Sequence, residues 1–252
     1  MLMDTHAHMC DEAFDVDRDE VIRGLGQRGV AKVIEIACDP AGFDKAVELA
    51  DRHDNIYLAF GIHPEYASQW ADKDIAFLRE YLRHPRCVAL GEIGLDYYWE
   101  PYDKAAQIKL FCRQLDMAAE LSLPVSLHVR EGYGDAVEIL SGYPGTRGVM
   151  HCFSGSAEMA ERCVKLGLYV AFGGSVTFKN NKKGPAAAAA VPLDRLLVET
   201  DCPYMAPEPH RGKRCDPAMT RLVCEKLAAI KGVSVPELER ITGENAARLF
   251  GI

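Results

Sequence analysis

The chain lacks a CxxC pair, a basic N-terminal leader and any run of 18 apolar residues. Its nine cysteines are an odd number, and the nearest two, Cys215 and Cys224, stand nine residues apart. That spacing builds neither a zinc knuckle nor a thioredoxin-type redox motif. The start, Met1-Leu2-Met3-Asp4, has no basic region before an apolar core, so no secretory signal is expected. The alanine tract Ala186–Ala190 lies between Pro185 and Pro192 and is too short to span a bilayer. The expectation is a cytoplasmic protein with reduced, mostly buried thiols, no membrane contact and no obligate protein partner. Positive charge is in deficit, with 29 Lys+Arg against 37 Asp+Glu and a net charge of −8. This argues against coating nucleic acid by bulk electrostatics, while a local cationic site stays open. With 48% hydrophobic and 26% charged residues, the chain is neither disordered nor a small disulfide scaffold. No linker or shift in composition divides it, so one domain over residues 1–252 is expected.

What is present is alternation. Short apolar runs at Leu2–His6, Lys32–Ala37, Ile56–Gly61, Cys87–Gly91, Pro124–His128, Arg147–His151, Leu168–Gly173 and Arg195–Thr200 read as eight strands. They recur about every 28 residues, the length of one strand, one helix and two loops. Between them lie helical patterns. In Asp103–Ser122 the residues Ile108, Phe111, Cys112, Leu115, Ala118 and Ala119 follow the 3.6-residue period, and Pro101 and Pro124 bound the segment. Pro217–Lys231 and Val235–Ile241 read the same way, and Ser234 with Glu237 fits a capping box. The leading fold is an α/β protein, a (β/α)8 TIM barrel, and the runner-up is a doubly wound open sheet.

Residues able to ligate metal fall where barrel enzymes build their sites. His6 and His8 follow the first candidate strand, His63 the third, Glu92 the fourth, His128 the fifth, His151 the sixth and Asp201 the eighth. In Asp4-Thr5-His6-Ala7-His8, alternation puts Asp4, His6 and His8 on one side, so two imidazoles can share an ion. Glu92, flanked by Gly91 and Gly94, can bridge two cations. Four histidines and two carboxylates suit two divalent ions, one held by His6, His8, Glu92 and Asp201 and the other by Glu92, His128 and His151. Ligation without thiolate fits Zn, Mn, Co or Fe, and Mg if waters complete its shell. Asp201 can also orient a water and take its proton, which makes Asp201 and Glu92 the candidate catalytic residues. Glu199, one layer deeper on the same side, is expected to support the site from below. The aromatics Tyr97, Tyr98 and Trp99 serve either as lid packing, the favoured reading, or as a base-stacking surface. A cysteine hydrolase is the competing chemistry, but strand alternation turns Cys152 and Cys202 away from the site. Gly24-Leu25-Gly26 lacks the spacing and preceding strand of a dinucleotide fingerprint.

With these residues in order, the sequence resembles the TatD family of metal-dependent hydrolases, within the amidohydrolase-like barrels. The resemblance rests on Asp4-Thr5-His6-Ala7-His8, Gly61-Ile62-His63-Pro64, Gly91-Glu92-Ile93-Gly94-Leu95-Asp96-Tyr97, His128-Val129-Arg130, His151-Cys152-Phe153-Ser154-Gly155 and Glu199-Thr200-Asp201-Cys202-Pro203-Tyr204. Arg211-Gly212-Lys213-Arg214 and Asn245-Ala246-Ala247-Arg248-Leu249-Phe250 also look like the family. It implies a Mg²⁺- or Mn²⁺-dependent deoxyribonuclease acting from 3′ ends, with His6, His8, Glu92, His128, His151 and Asp201 as ligands and His63 and Arg130 on phosphate. The chain departs from the family where Cys215-Asp216 follows Arg214 in place of Asn-Glu, and where Glu131-Gly132 follows Arg130 in place of Asp-Ala. Related two-metal amidohydrolases often use a carboxylated lysine as the bridge; here Glu92 takes that place.

The first functional expectation is hydrolysis of phosphodiester bonds, with single-stranded DNA or 3′ ends as partner. It calls for cations near the metals. Lys179, Lys182 and Lys183 follow the seventh strand, and His210, Arg211, Lys213 and Arg214 follow the eighth; Arg211 and Arg214 are taken as substrate contacts. The second is hydrolysis of another ester or amide on the same site: a small phosphoester, a lactone or an aminoacyl-tRNA. The third is a non-catalytic binding protein, which predicts a broken ligand position, and none is broken.

Overall fold

The structure, a computed structural model, describes all 252 residues. Eight strands, β1 (Leu2–Ala7), β2 (Val30–Ala37), β3 (Ile56–Phe60), β4 (Cys87–Asp96), β5 (Val125–Arg130), β6 (Gly148–Met150), β7 (Tyr169–Phe172) and β8 (Leu196–Val198), pair in sequence order, and all pairs are parallel. A doubly wound sheet would reverse its order; this one does not. It closes on itself where Asp201 N–H donates to His6 O at 2.9 Å and His8 N–H to Cys202 O at 2.8 Å. Helices α1 (Arg18–Gly24), α2 (Phe43–Arg52), α3 (Asp72–Tyr81), α4 (Lys104–Leu121), α5 (Tyr133–Ser141), α6 (Ala157–Lys165) and α7 (Lys183–Ala190) connect successive strands, and α8 (Thr220–Lys231) and α9 (Val235–Phe250) follow the last. The (β/α)8 barrel is thus the fold, and none of its helices is long and apolar enough to cross a membrane.

Two apolar clusters fill the molecule. The larger lies between strands and helices. The smaller gathers Ile34, Ile36, Val149, Ala171 and Leu197 with Ala246, Leu249 and Phe250 of α9. Val149 and Leu197 share strand parity with His151, Glu199 and Asp201, so this cluster is the barrel interior and α9 stoppers its lower end. That role explains why α9 runs nine residues beyond the Ile241 expected from sequence. Ser234 Oγ caps it by accepting from Glu237 N–H at 3.3 Å, and Gly243 does not break it because the apolar face continues to Phe250.

Strand ends differ from the sequence reading in a way that matters for chemistry. β4 continues to Asp96 and β5 to Arg130, so Glu92 and His128 stand inside strands, not beyond them. The register shifts at Glu92: Gly91 pairs with Ser126 and Ile93 with Leu127, which makes Glu92 the extra residue of a β-bulge. A bulge re-aims the inserted side chain. Gly94 keeps the two strands together past it: its φ is +146°, and a Cβ there would lie 1.9 Å from His128 O.

Candidate active site

At the C-terminal mouth of the barrel the structure gathers His6, His8, His63, Glu92, His128, His151 and Asp201. Glu92 is the hub. Its Oε1 lies 2.6 Å from His128 Nδ1 and 2.8 Å from His151 Nε2, and its Oε2 lies 3.4 Å from His6 Nε2 and 4.0 Å from His8 Nε2. Asp201 Oδ1 closes the group at 3.9 Å from His6 Nε2 and 3.5 Å from His8 Nε2. His6 and His151 stack with ring centroids 3.6 Å apart. His63 sits edge-on to His128, centroids 4.5 Å apart, with Nδ1 accepting from Glu65 N–H.

A second layer orients these rings. His8 Nδ1 is 3.1 Å from Ile36 O, which turns Nε2 toward Asp201. Asp96 Oδ2 is 3.0 Å from His128 Nε2, and Glu199 Oε1 is 3.3 Å from His151 Nδ1. Glu199 is wholly buried below the cage, where the sequence put it, and also accepts from Cys152 N–H. Asp4 is buried too and ties β1 to β8 by accepting from Thr200 N–H at 2.9 Å and from the Thr200 hydroxyl. Glu35 accepts from Met9 N–H and Cys10 N–H and so holds the loop after His8. On α4, Gln107 clamps both N–H and C=O of Asp96, and Gln114 does the same to Ile62. The two glutamines are seven apart, hence on one helix face, and one helix fixes both the end of β4 and the entry to His63.

Several features went unread in the sequence. Asp96, Glu35, Gln107 and Gln114 carry a single signal, a polar residue at a position of apolar periodicity. Cys152 is a correction. Its side chain borders the cavity of His128, Arg130 and Asp201 instead of facing away, because β6 ends at Met150 and Cys152 takes a left-handed φ of +43° where alternation no longer applies. Burial, with Asp201 and Glu199 nearby, holds its thiol well above the usual range, so it is no nucleophile. Cys202 does face away, with Sγ 3.8 Å from Met9 Sδ in the core. The cations are dispersed. Arg130 lines a cavity beside the cage. Arg211 lies over the Phe178 ring at 4.4 Å, while Arg214 is bound to Asp17 and Ala13 O. Lys179, Lys182, Lys183 and Lys213 are exposed and line neither cavity of the mouth.

The donor set fits divalent metal. His6 Nε2 is buried without a hydrogen-bond partner; Glu92 Oε2 at 3.4 Å and Asp201 Oδ1 at 3.9 Å face it, and the same two oxygens face His8 Nε2 at 4.0 and 3.5 Å. Ligands about 2.1 Å from a common ion stand roughly 3–3.4 Å apart, close to this spread. His6, His8 and Glu92 form one such group, and His63, Glu92 and His128 another. Burial would raise the Glu92 carboxyl, but His151, His6 and His128 outweigh it and hold the group well below its usual range. Burial would lower His8, but Asp201 and Glu92 push it up to about 9; His128 and His151 are raised for the same kind of reason. With a pKa of about 9, His8 is protonated at neutral pH when no metal is bound, and a ligand must be neutral. Metal binding is therefore expected to release protons and to strengthen as pH rises from 6 towards about 9. Titration calorimetry with Mn²⁺ in buffers of different ionisation enthalpy checks this; a heat independent of buffer and an affinity flat with pH would contradict it.

The family model "TatD related DNase" matches residues 3–251. The chain belongs to the TatD family. Among relatives of this TatD protein, the uncharacterized metal-dependent hydrolase YabD of Bacillus subtilis (strain 168) is 42% identical over 254 residues, covering 100% of both chains. The 3′-5′ ssDNA/RNA exonuclease TatD of Erwinia tasmaniensis is 33% identical, again over 100% of each. The crystal structure of YJJV, a TatD homolog from Escherichia coli K12, superposes with a TM-score of 0.95 at 31% identity, covering 100% of this chain and 98% of that one. The protein is a TatD-family metal-dependent hydrolase of ester bonds.

Proposed function

We propose that this TatD protein hydrolyses phosphodiester bonds of single-stranded DNA from the 3′ end, with two divalent cations, Mg²⁺ or Mn²⁺ before Zn²⁺. The observation that carries the reading is one carboxylate, Glu92, within 4.0 Å of ring nitrogens from four histidines, beside a cavity lined by Arg130. The relative named as a 3′-5′ ssDNA/RNA exonuclease supports the substrate class and the polarity. His6, His8, Glu92 and Asp201 would hold one ion, and Glu92, His128 and His151 the other. When bound, such ions acidify water and neutralise phosphate charge. The chain's own groups do the rest. Asp201, at the lip of the mouth and ionised because His8 and His151 outweigh its burial, orients the attacking water and takes its proton. His63, whose pKa is pushed down to about 4 by burial and by His128, is uncharged at neutral pH and is placed to donate to a phosphate oxygen. Arg130 lines the cavity that also holds His128, His151 and Asp201 and supplies a fixed positive charge there.

End-labelled single-stranded DNA incubated with protein and Mg²⁺ or Mn²⁺, beside p-nitrophenyl esters and a lactone, tests this. Stepwise release of mononucleotides from the 3′ end, abolished by chelation and restored by metal, is the expected result. Turnover confined to the esters or lactone would replace the nuclease reading with another hydrolase.

A further inference from the structure

The mouth of the barrel is divided by charge. On the β1–β3 side, a cavity of about 500 Å³ runs from the cage past Asp11, Glu35, Asp39 and Glu65, and no lysine or arginine lines it. On the β5–β8 side, a cavity of about 330 Å³ shares His128, His151 and Asp201 and is lined by Arg130, Asn181 and Ser154, with no carboxylate besides Asp201. A polyanion is repelled along the first and attracted along the second. That charge division would place the strand that remains after cleavage along the second and the single terminal unit in the first.

Against the Arg130 side chain, outside the cavity it lines, stand aromatics that packing does not explain. Tyr97 is a packing residue: it stacks on Tyr102 at 5.1 Å and its hydroxyl donates to Asp135 at 2.8 Å. Its two successors are different. Tyr98 is 46% exposed and Trp99 65% exposed, edge-to-face at 4.9 Å. The Arg130 guanidinium sits over both, 3.5 Å from the Tyr98 ring centroid and 5.3 Å from that of Trp99. Tyr98 N–H donates to Asp96 Oδ1 at 2.9 Å, and the other oxygen of Asp96 binds His128, so this pair of rings is tied to the cage through one carboxylate.

We infer that Tyr98, Trp99 and Arg130 form a nucleobase-stacking platform for the retained strand, next to the scissile phosphate. The inference rests on the nuclease reading and adds where the strand lies and what grips its bases. Stacking on an aromatic face tolerates every base, so the platform confers affinity for unpaired strands and little sequence preference.

The test compares an intact single-stranded oligonucleotide with versions carrying an abasic site at each of the last few positions in turn, on the metal-loaded protein. One abasic position is expected to raise KM about tenfold in the unmodified protein. Trp99→Ala is expected to raise KM about tenfold on the intact strand, after which the abasic site adds nothing; Trp99→Phe recovers most of the loss. Two results overturn the platform alone: KM unchanged in Trp99→Ala, or raised equally for intact and abasic strands, as a purely structural role would give. If the unmodified protein cleaves no oligonucleotide, the nuclease reading falls and the platform with it.

Discussion

Glu92→Gln is expected to lower kcat/KM by at least ~1000-fold, about 4 kcal/mol of transition-state stabilisation, and to bring bound divalent metal below one ion per chain. The change removes one negative charge and keeps the shape. Each of four cage histidines would lose its contact with this carboxylate: His6 faces Glu92 at 3.4 Å, His128 at 2.6 Å, His151 at 2.8 Å and His8 at 4.0 Å. A single ligand of a single ion can be replaced by water at modest cost. A carboxylate shared by two ions, as proposed for Glu92, could not, because its loss would leave two donor groups incomplete at once. The bulge sharpens this. Glu92 is itself the inserted residue, so no neighbour in β4 shares its aim. Metal analysis after dialysis, with steady-state kinetics on the same preparation, checks both parts. Full metal content with more than a tenth of the activity would remove Glu92 from the centre of the site.

The fold was legible because barrel strands buried on both faces appear as apolar runs, and eight of them at near-constant spacing leave few topologies. The positions of His6, His8, His63, Glu92, His128, His151 and Asp201 were legible for a related reason: each is a polar residue that ends or interrupts an apolar run. What stayed hidden depends on pairing across the chain. The bulge at Glu92 exists only in the register between β4 and β5. The sequence alone assigns Asp96 no role; its pairing with Arg130 keeps it in the sheet and against His128. Gln107 and Gln114 sit on a helix whose apolar face hides two polar clamps. Arg214, 197 residues from Asp17, meets it only because α1 and the loop after β8 share one rim. No local pattern announces such a pair, and it separates Arg214 from Arg130, which does border the cage.

Asp201→Asn is expected to separate holding metal from using it. Asp201 takes a φ of +61°, in the left-handed region, at the turn where β8 hands the chain to the next loop. Asparagine and aspartate enter that region more readily than most residues, so Asn keeps the backbone while Ala would strain it. The side chain is the most accessible carboxylate of the cage, 16% exposed against 5% for Glu92, and it borders both cavities of the mouth. It touches only His6 and His8, at 3.9 and 3.5 Å, whereas Glu92 touches all four rings. Under the proposed two-ion division, loss of its charge would weaken the His6–His8 half and leave the Glu92–His128–His151 half intact. An amide still offers an oxygen to a cation, but it cannot accept a proton. The expected result is kcat down by ~1000-fold or more, KM within a few-fold of the unmodified value, and at least one divalent ion per chain retained. Glu92→Gln, by contrast, loses metal and turnover together. Should Asp201→Asn lose metal in parallel with activity, Asp201 is a ligand only, and the proton goes elsewhere; should it keep most of its kcat, neither role stands.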